Sequence, residues 1–93
     1  MTFYLTNIKV GNNEWSLEKR FSQFDELNNN LVKLFGKRIP EFPPRTFFKV
    51  NTIEGIEGRR NQLDLYLKQL TNKTEIINSI LFRDFLEVKI ILY

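Results

Sequence analysis

The stretch that decides the fold is KRFSQF at residues 19–24. It stands where an alternating apolar pattern, typical of a strand, gives way to a helical pattern. Arg20 and Phe21 occupy this junction, so a cation and a flat aromatic ring are neighbours in the chain. This pair suits a phosphorylated sugar, because a guanidinium grips phosphate and a ring packs on an apolar face. The pair alone leaves open a surface arginine beside a core phenylalanine.

The residues before this stretch predict a β-hairpin. Alternating segments at residues 3–10 and 15–21 flank the turn sequence Gly11-Asn12-Asn13. The residues after it predict a helix, because Ser22 followed by Asp25 resembles a capping box and Gly36 is a suitable stop. Further helical segments are predicted at residues 57–71, 74–78 and 79–88. The fold class is therefore α+β, with a small antiparallel sheet (a hairpin or three strands) followed by a helical subdomain.

Three prolines within residues 39–44 predict an extended crossing segment, because proline fixes its backbone and lacks an N–H donor. The pattern PxxPxR at residues 40–45 also matches a polyproline ligand of SH3 domains. Ile39 and Phe42 suit a core better than a free peptide. We therefore favour a rigid wall that holds Arg45 in a fixed place.

Two downstream features add to the basic and apolar pattern. Arg59 stands at the start of a predicted helix, where a cation opposes the helix macrodipole, which is a weak functional hint. The segment before it carries apolar residues beside Lys49. Exposed residues of this kind insert into a bilayer interface. The candidates for insertion are Phe48, Val50, Ile53 and Ile56, with a place in the core as the alternative for Phe48.

Composition bounds the function. The 93 residues predict a single domain spanning 1–93, and 42% hydrophobic content is enough for a core. Because the chain has no cysteine and no histidine, we expect no metal site and no catalytic triad. Four glycines in no phosphate-binding pattern predict no nucleotide cofactor. The chain is therefore predicted not to be an enzyme and to need no cofactor.

The net charge of +3 permits an anionic partner without demanding one. We expect no nucleic acid partner, because no continuous basic stripe is present. No apolar run is long enough for a membrane span, and the N-terminus has no secretion signal, so a cytoplasmic location is expected.

The order of these features resembles the phox-homology (PX) domain. The resemblance runs from about Tyr4 to Val88. It rests on four motifs in order: Arg20-Phe21-Ser22-x-Phe24, the proline segment followed by Arg45, Arg59 before Leu63-x-x-Tyr66-Leu67, and Phe82-x-x-Phe85-Leu86. The family binds phosphoinositides, so the resemblance implies a membrane-targeting module that recognises phosphatidylinositol 3-phosphate on endosomal membranes.

The resemblance also implies a role for each matched residue. Arg20 corresponds to the arginine that holds the 3-phosphate, and Phe21 to the aromatic residue on which the inositol ring packs. Arg45 corresponds to the cation that contacts the 1-phosphate. Arg59 corresponds to the arginine that hydrogen-bonds the 4- and 5-hydroxyls. The segment after Arg45 corresponds to the membrane-insertion loop.

The chain departs from the family pattern in two ways. The family usually has one more strand before the strand that begins at Phe3, so we expect a smaller sheet with an exposed edge. A protein partner or a second copy would cover that edge. The insertion segment is also short, which predicts weak membrane affinity. The alternative function is a protein-interaction domain of the same fold with weak or lost lipid binding.

Overall fold

The fold begins with a β-hairpin. A computed structural model describes residues 2–44 and 52–88, and in it strands β1 (Phe3–Val10) and β2 (Asn13–Arg20) pair antiparallel. The register runs from Val10 opposite Asn13 to Phe3 opposite Arg20. Gly11 takes a left-handed backbone angle, φ 61°, that the tight turn requires and that glycine adopts without strain.

Helices follow the hairpin, which confirms the predicted α+β class. They are α1 (Phe21–Phe35), α2 (Ile53–Thr71), α3 (Thr74–Ile77) and α4 (Ile80–Leu86), with a 3-10 turn at Gly36–Arg38 after α1. Gly36 ends α1 as predicted, with φ 59° and its N–H donated to the carbonyl of Val32.

The predicted start of the second helix, at Glu57, was wrong by one turn. Helix α2 begins at Ile53 because Thr52 caps it: the Thr52 hydroxyl accepts a hydrogen bond from the N–H of Gly55 at 3.0 Å. Gly55, in the first turn of the helix, is buried.

Helices α1 and α2 lie side by side and run parallel. The guanidinium of Arg59 lies over the Phe21 ring, and the Tyr66 hydroxyl donates to Oδ1 of Asn28 at 2.7 Å. Both contacts join residues 38 apart in the chain, so the two helices advance in the same direction. The N-terminal ends therefore lie together, and the extended proline segment begins the return between them.

The core lies between the inner face of the hairpin and the helices. Strand β1 alternates strictly, with Tyr4, Thr6 and Ile8 buried while Phe3 and Leu5 are about half exposed. The fully buried large side chains come from both strands and all four helices, among them Tyr4, Leu17, Phe24, Tyr66, Ile76 and Phe82. This single core holds the hairpin against the helix pair.

The outer edge of β1 is only partly open. The described residues form a two-stranded sheet, which agrees with the expectation of a small one. The backbone N–H of Asn7 donates to Oδ1 of Asp64 in α2 at 3.5 Å, so α2 caps the edge at its middle. Pairing of β1 with another strand stays a prediction, and the capping limits it to the Phe3 end of the strand.

The end of α4 is fastened to β2. The indole N–H of Trp15 donates to the carbonyl of Leu86 at 2.9 Å. Lys19 forms a 2.8 Å ion pair with Glu87 and lies 5.2 Å from the centre of the Phe85 ring. These contacts account for Lys19 as a structural residue next to Arg20.

Candidate headgroup-binding site

The junction between β2 and α1 positions the first two candidate residues. Arg20 is the last residue of β2 and keeps an extended backbone, φ −86° and ψ 158°, as the N-cap of α1. Helix α1 begins at Phe21 with Arg20 as its N-cap, so the predicted capping box between Ser22 and Asp25 was wrong by two residues. The side chain of Gln23 accepts the backbone N–H of Arg20 at 2.9 Å instead.

Gln23 is therefore the residue that sequence reasoning missed at this junction. Its position, three residues after the true N-cap, is the signal that identifies it, because glutamine at that position completes a capping box. By fixing the backbone of Arg20, it fixes the direction from which a half-buried guanidinium leaves the junction.

Arg59 joins this junction from α2. It is only 6% exposed, and its guanidinium lies 4.0 Å from the centre of the Phe21 ring. An arginine over a ring face is attracted by the ring quadrupole, which offsets part of the cost of burying the charge. The structure thus brings Arg59 to the Arg20–Phe21 junction, although 38 residues lie between Arg20 and Arg59 in the sequence.

The proline segment supports Phe21 through Phe42, whose ring packs against it. Phe42 lies 5.5 Å from Phe21 and 5.1 Å from Tyr66, measured between ring centres, with the second pair edge to face. Pro43 is buried. This packing favours the interpretation of the segment as a rigid wall over its interpretation as an SH3-domain ligand. An SH3 domain could bind Pro43 only if the segment left the core.

Tyr66 anchors the far end of this aromatic row. Burial raises the pKa of the Tyr66 hydroxyl well above its usual value near 10, because the phenolate form is penalised away from water. The neutral hydroxyl donates to Asn28, as described above. The row Phe21, Phe42 and Tyr66 therefore connects the candidate site to the middle of the α1–α2 pair.

The other candidate residues fall in different surroundings. Arg45, Phe48 and Val50 lie outside the described residues. Ile53 and Ile56 belong to the first turn of α2 and not to a loop, because Thr52 caps the helix before them. Ile53 is 83% exposed, whereas Ile56 packs against the core. Of these two, only Ile53 is placed to enter a bilayer.

Two further observations describe what surrounds the site. Arg60, the neighbour of Arg59, forms surface contacts with Glu57 at 3.4 Å and with Asn61 at 2.8 Å. A cavity of about 330 Å³ is lined in part by Phe42 and Tyr66, and its described lining includes neither Arg20 nor Arg59.

Across residues 2–44 and 52–88, no cluster of acids is arranged to hold a metal ion. No helix in these ranges has the length and apolar character needed to cross a bilayer.

The site offers two guanidinium groups, those of Arg20 and Arg59, and one aromatic ring. Phe21 follows Arg20 in the chain, and Arg59 lies over the Phe21 ring. Guanidinium is always charged and presents planar donors to phosphate oxygens. The buried Arg59 has a restricted orientation, which suits hydroxyl groups at fixed positions. Such an arrangement is chemically suited to a small anion that also carries hydroxyls.

Known proteins resemble this chain in sequence. A family model described as the PX domain matches residues 8–89. Sorting nexin-31 of Homo sapiens is 35% identical over 69 residues, which cover 74% of this chain and 16% of that protein. Serine/threonine-protein kinase Sgk3 of Rattus norvegicus is 31% identical over 88 residues, 94% of this chain and 18% of the kinase. The chain thus spans less than a fifth of either relative.

A solved structure supports the fold independently. The X-ray structure of a designed CISK-PX domain matches with a TM-score of 0.79 and 25% sequence identity. The match covers 89% of this chain and 79% of that chain. The similarity therefore extends over most of the chain.

Proposed function

The chain belongs to the PX-domain family, and from this premise we propose that it is a non-catalytic membrane-targeting module that binds phosphatidylinositol 3-phosphate through Arg20, Phe21, Arg45 and Arg59. The family binds phosphoinositide lipids and is associated with peripheral membrane binding. It is generally non-enzymatic, and the kinases among the relatives carry it as a separate region. The observation that carries the proposal is the guanidinium of Arg59 at 4.0 Å from Phe21, next to Arg20.

In this proposal the two described arginines divide the headgroup between them. Arg20, half-buried at the N-cap of α1, holds the 3-phosphate, and Arg59, buried at 6% exposure, donates to the 4- and 5-hydroxyls. A site with fixed donors for hydroxyl groups rejects headgroups phosphorylated there, because the added phosphates clash or lose those bonds. Arg45 would contact the 1-phosphate. Endosomal membranes, which display this lipid, are the proposed location.

The Phe21 ring has a second role in this proposal. One of its faces carries Arg59, and Phe42 packs at 5.5 Å from it. The ring therefore presents Arg59 to the headgroup in addition to offering the inositol ring an apolar contact. This explains why an aromatic side chain, and not merely an apolar one, follows Arg20.

Membrane attachment would combine the headgroup site with a shallow apolar contact. Ile53 stands exposed at the first residue of α2, and in the sequence it follows Phe48 and Val50 by a few residues. Burying one isoleucine side chain contributes about 1.5–3 kcal/mol. Nearby cations contribute about 1 kcal/mol each at an anionic membrane. A single apolar contact of this size gives only modest membrane affinity, so headgroup recognition determines which membrane the chain binds.

Vesicle co-sedimentation tests the proposal. Vesicles of phosphatidylcholine and phosphatidylserine are prepared with and without phosphatidylinositol 3-phosphate, and Arg20→Ala is compared with the wild type. We expect the variant to lose the phosphoinositide-dependent part of binding while its circular dichroism stays unchanged. Arg60→Ala is the matched control, because Arg60 also lies beside the site in sequence but pairs with Glu57 on the surface. Equal binding by wild type and Arg20→Ala contradicts the site.

A lipid panel separates the proposal from its alternative, a protein-interaction domain that has lost lipid binding. Binding to phosphatidylinositol 3-phosphate over its 4-phosphorylated derivatives supports the proposal. If the folded protein binds none of the phosphoinositides, the result supports the alternative. A response to all phosphoinositides alike contradicts the role given to Arg59.

A further inference from the structure

A second basic site lies at the opposite end of the α1–α2 pair. A cleft of about 420 Å³ opens where the 3-10 turn after α1 meets the end of α2. Its described lining comprises Lys37, Arg38, Ile39, Pro40, Gln69, Asn72 and Lys73. We propose that this cleft binds an acidic segment of a partner protein. No residue of the headgroup site takes part in it.

The three cations of the cleft form no ion pair with a described carboxylate, as is also true of Lys9, Lys33 and Arg83, but they alone among these line one concave surface together. Lys19, Arg60 and Lys68 each form an ion pair with a carboxylate. Within residues 2–44 and 52–88, neither Lys37, Arg38 nor Lys73 forms one, and the described lining of the cleft contains no aspartate or glutamate. Three positive charges thus face one concave surface without compensation from the described residues.

The helix dipoles explain how this cluster is tolerated in the folded chain. Both α1 and α2 direct their C-terminal ends at the cleft, and each end carries about half a negative charge. The two ends together offset about one of the three positive charges. The surplus that remains is positive, so the cleft attracts an anion even after the dipoles are counted.

The position of the cleft argues against the bilayer as its occupant. Helix α2 rises about 20 Å between Arg59 and Asn72, at 1.5 Å per residue. This exceeds the screening length of about 8 Å at physiological ionic strength, so the two basic sites act independently. The choice of a protein over a membrane rests on the proposed function: with the Arg20 end on the bilayer, the cleft faces away from it.

The remaining lining residues suit a peptide. Gln69 and Asn72 are exposed and carry side-chain amides, which both donate to and accept from a peptide backbone. Ile39, which is buried, and Pro40 form an apolar floor. A volume of about 420 Å³ lies in the range of sites that hold a few side chains. An acidic side chain held by the cations, with its backbone on the amides, fits this arrangement.

The test uses a fluorescein-labelled polyglutamate peptide, with a polyglutamine peptide of equal length as the probe control. Anisotropy gives the affinity, and amide NMR shifts locate the peptide. We expect shifts at Lys37, Arg38, Asn72 and Lys73, and none with polyglutamine. The combined variant K37Q, R38Q and K73Q should bind polyglutamate at least about tenfold more weakly, because three surface ion pairs of modest strength are lost. The combined variant K37R and K73R keeps the charges and should bind as the wild type does.

The same variants distinguish failure of this inference from failure of the proposed function. Arg20→Ala should retain polyglutamate binding, whereas the triple glutamine variant should retain binding to phosphatidylinositol 3-phosphate vesicles. Polyglutamate binding that is absent, unchanged in the triple variant, or lost in Arg20→Ala overturns the inference. Loss of binding to phosphatidylserine vesicles in the triple variant also overturns it, because the cleft would then face the bilayer.

Discussion

The two ends of the α1–α2 pair both carry cations but hold them differently. At the N-terminal end, Arg59 is buried against the Phe21 ring and Gln23 fixes the backbone of Arg20. At the C-terminal end, Lys37 and Arg38 are exposed on a short 3-10 turn. A fixed guanidinium selects ligands by geometry, whereas a mobile surface cation attracts anions by charge alone. The two proposals thus assign one selective and one tolerant anion site to a single helix pair.

Replacing arginine by lysine at each end gives the largest expected difference. Arg59→Lys keeps the charge but loses the planar fork and the stacking on Phe21. We expect the affinity for a soluble phosphatidylinositol 3-phosphate headgroup to fall roughly tenfold to a hundredfold, the value of a lost charge-assisted hydrogen bond. Isothermal titration calorimetry measures this affinity.

The matched variant at the other end is Arg38→Lys. Because the cleft is expected to read charge and not geometry, polyglutamate binding should change less than about twofold, within the range of a surface ion pair. The comparison fails if both substitutions weaken their ligands equally. It also fails if Arg59→Lys leaves headgroup affinity intact.

The rigidity of the N-terminal end depends on Phe42. Phe42→Ala removes a half-buried ring that contacts both Phe21 and Tyr66. We expect a loss of about 2 kcal/mol in the free energy of unfolding, less than for a fully buried phenylalanine. Headgroup affinity should fall with it, since Phe21 loses its support. Urea unfolding and calorimetry measure the two effects.

Leu34→Ala is the control for Phe42→Ala at the other end of α1. Leu34 is 65% exposed, so its truncation should cost less than about 0.5 kcal/mol. A loss of stability at Leu34 equal to that at Phe42 would show that the two ends do not differ in rigidity.

The sequence predicted the hairpin and the helix order, because these follow from local periodicity and turn residues. It also predicted a packed proline segment from Ile39 and Phe42. The predicted helix starts were less accurate. Several neighbouring residues in the sequence have side chains that can cap a helix, and only the folded chain shows that Gln23 and Thr52 form the capping hydrogen bonds. The contact between Arg59 and Phe21 follows from tertiary packing, which periodicity does not encode.

Two substitutions of Gln23 distinguish its structural role at the helix start from the effect of charge beside Arg20. Gln23→Ala removes the acceptor for the backbone N–H of Arg20 and should cost about 1 kcal/mol of stability. Gln23→Glu keeps an acceptor and adds a favourable charge at the helix N-terminus, so stability should be retained. Its negative charge beside Arg20 should nevertheless weaken phosphate binding. Equal headgroup affinity in Gln23→Glu and wild type would contradict the placement of the phosphate at Arg20.

The smallest effect is expected at Tyr66, midway between the two ends. Tyr66→Phe removes the hydrogen bond to Asn28 and should cost about 1 kcal/mol or less at pH 7. Burial raises the pKa of Tyr66 in the folded chain, whereas an unfolded tyrosine ionises near pH 10. The stabilisation by the neutral hydroxyl is therefore fully present below about pH 10 and declines above it, since only the unfolded state releases the proton. In urea unfolding, the wild type should lose its advantage over Tyr66→Phe as the pH rises past that value. A constant difference across this range would mean that the hydroxyl ionises equally in both states and that the middle of the helix pair is open to water.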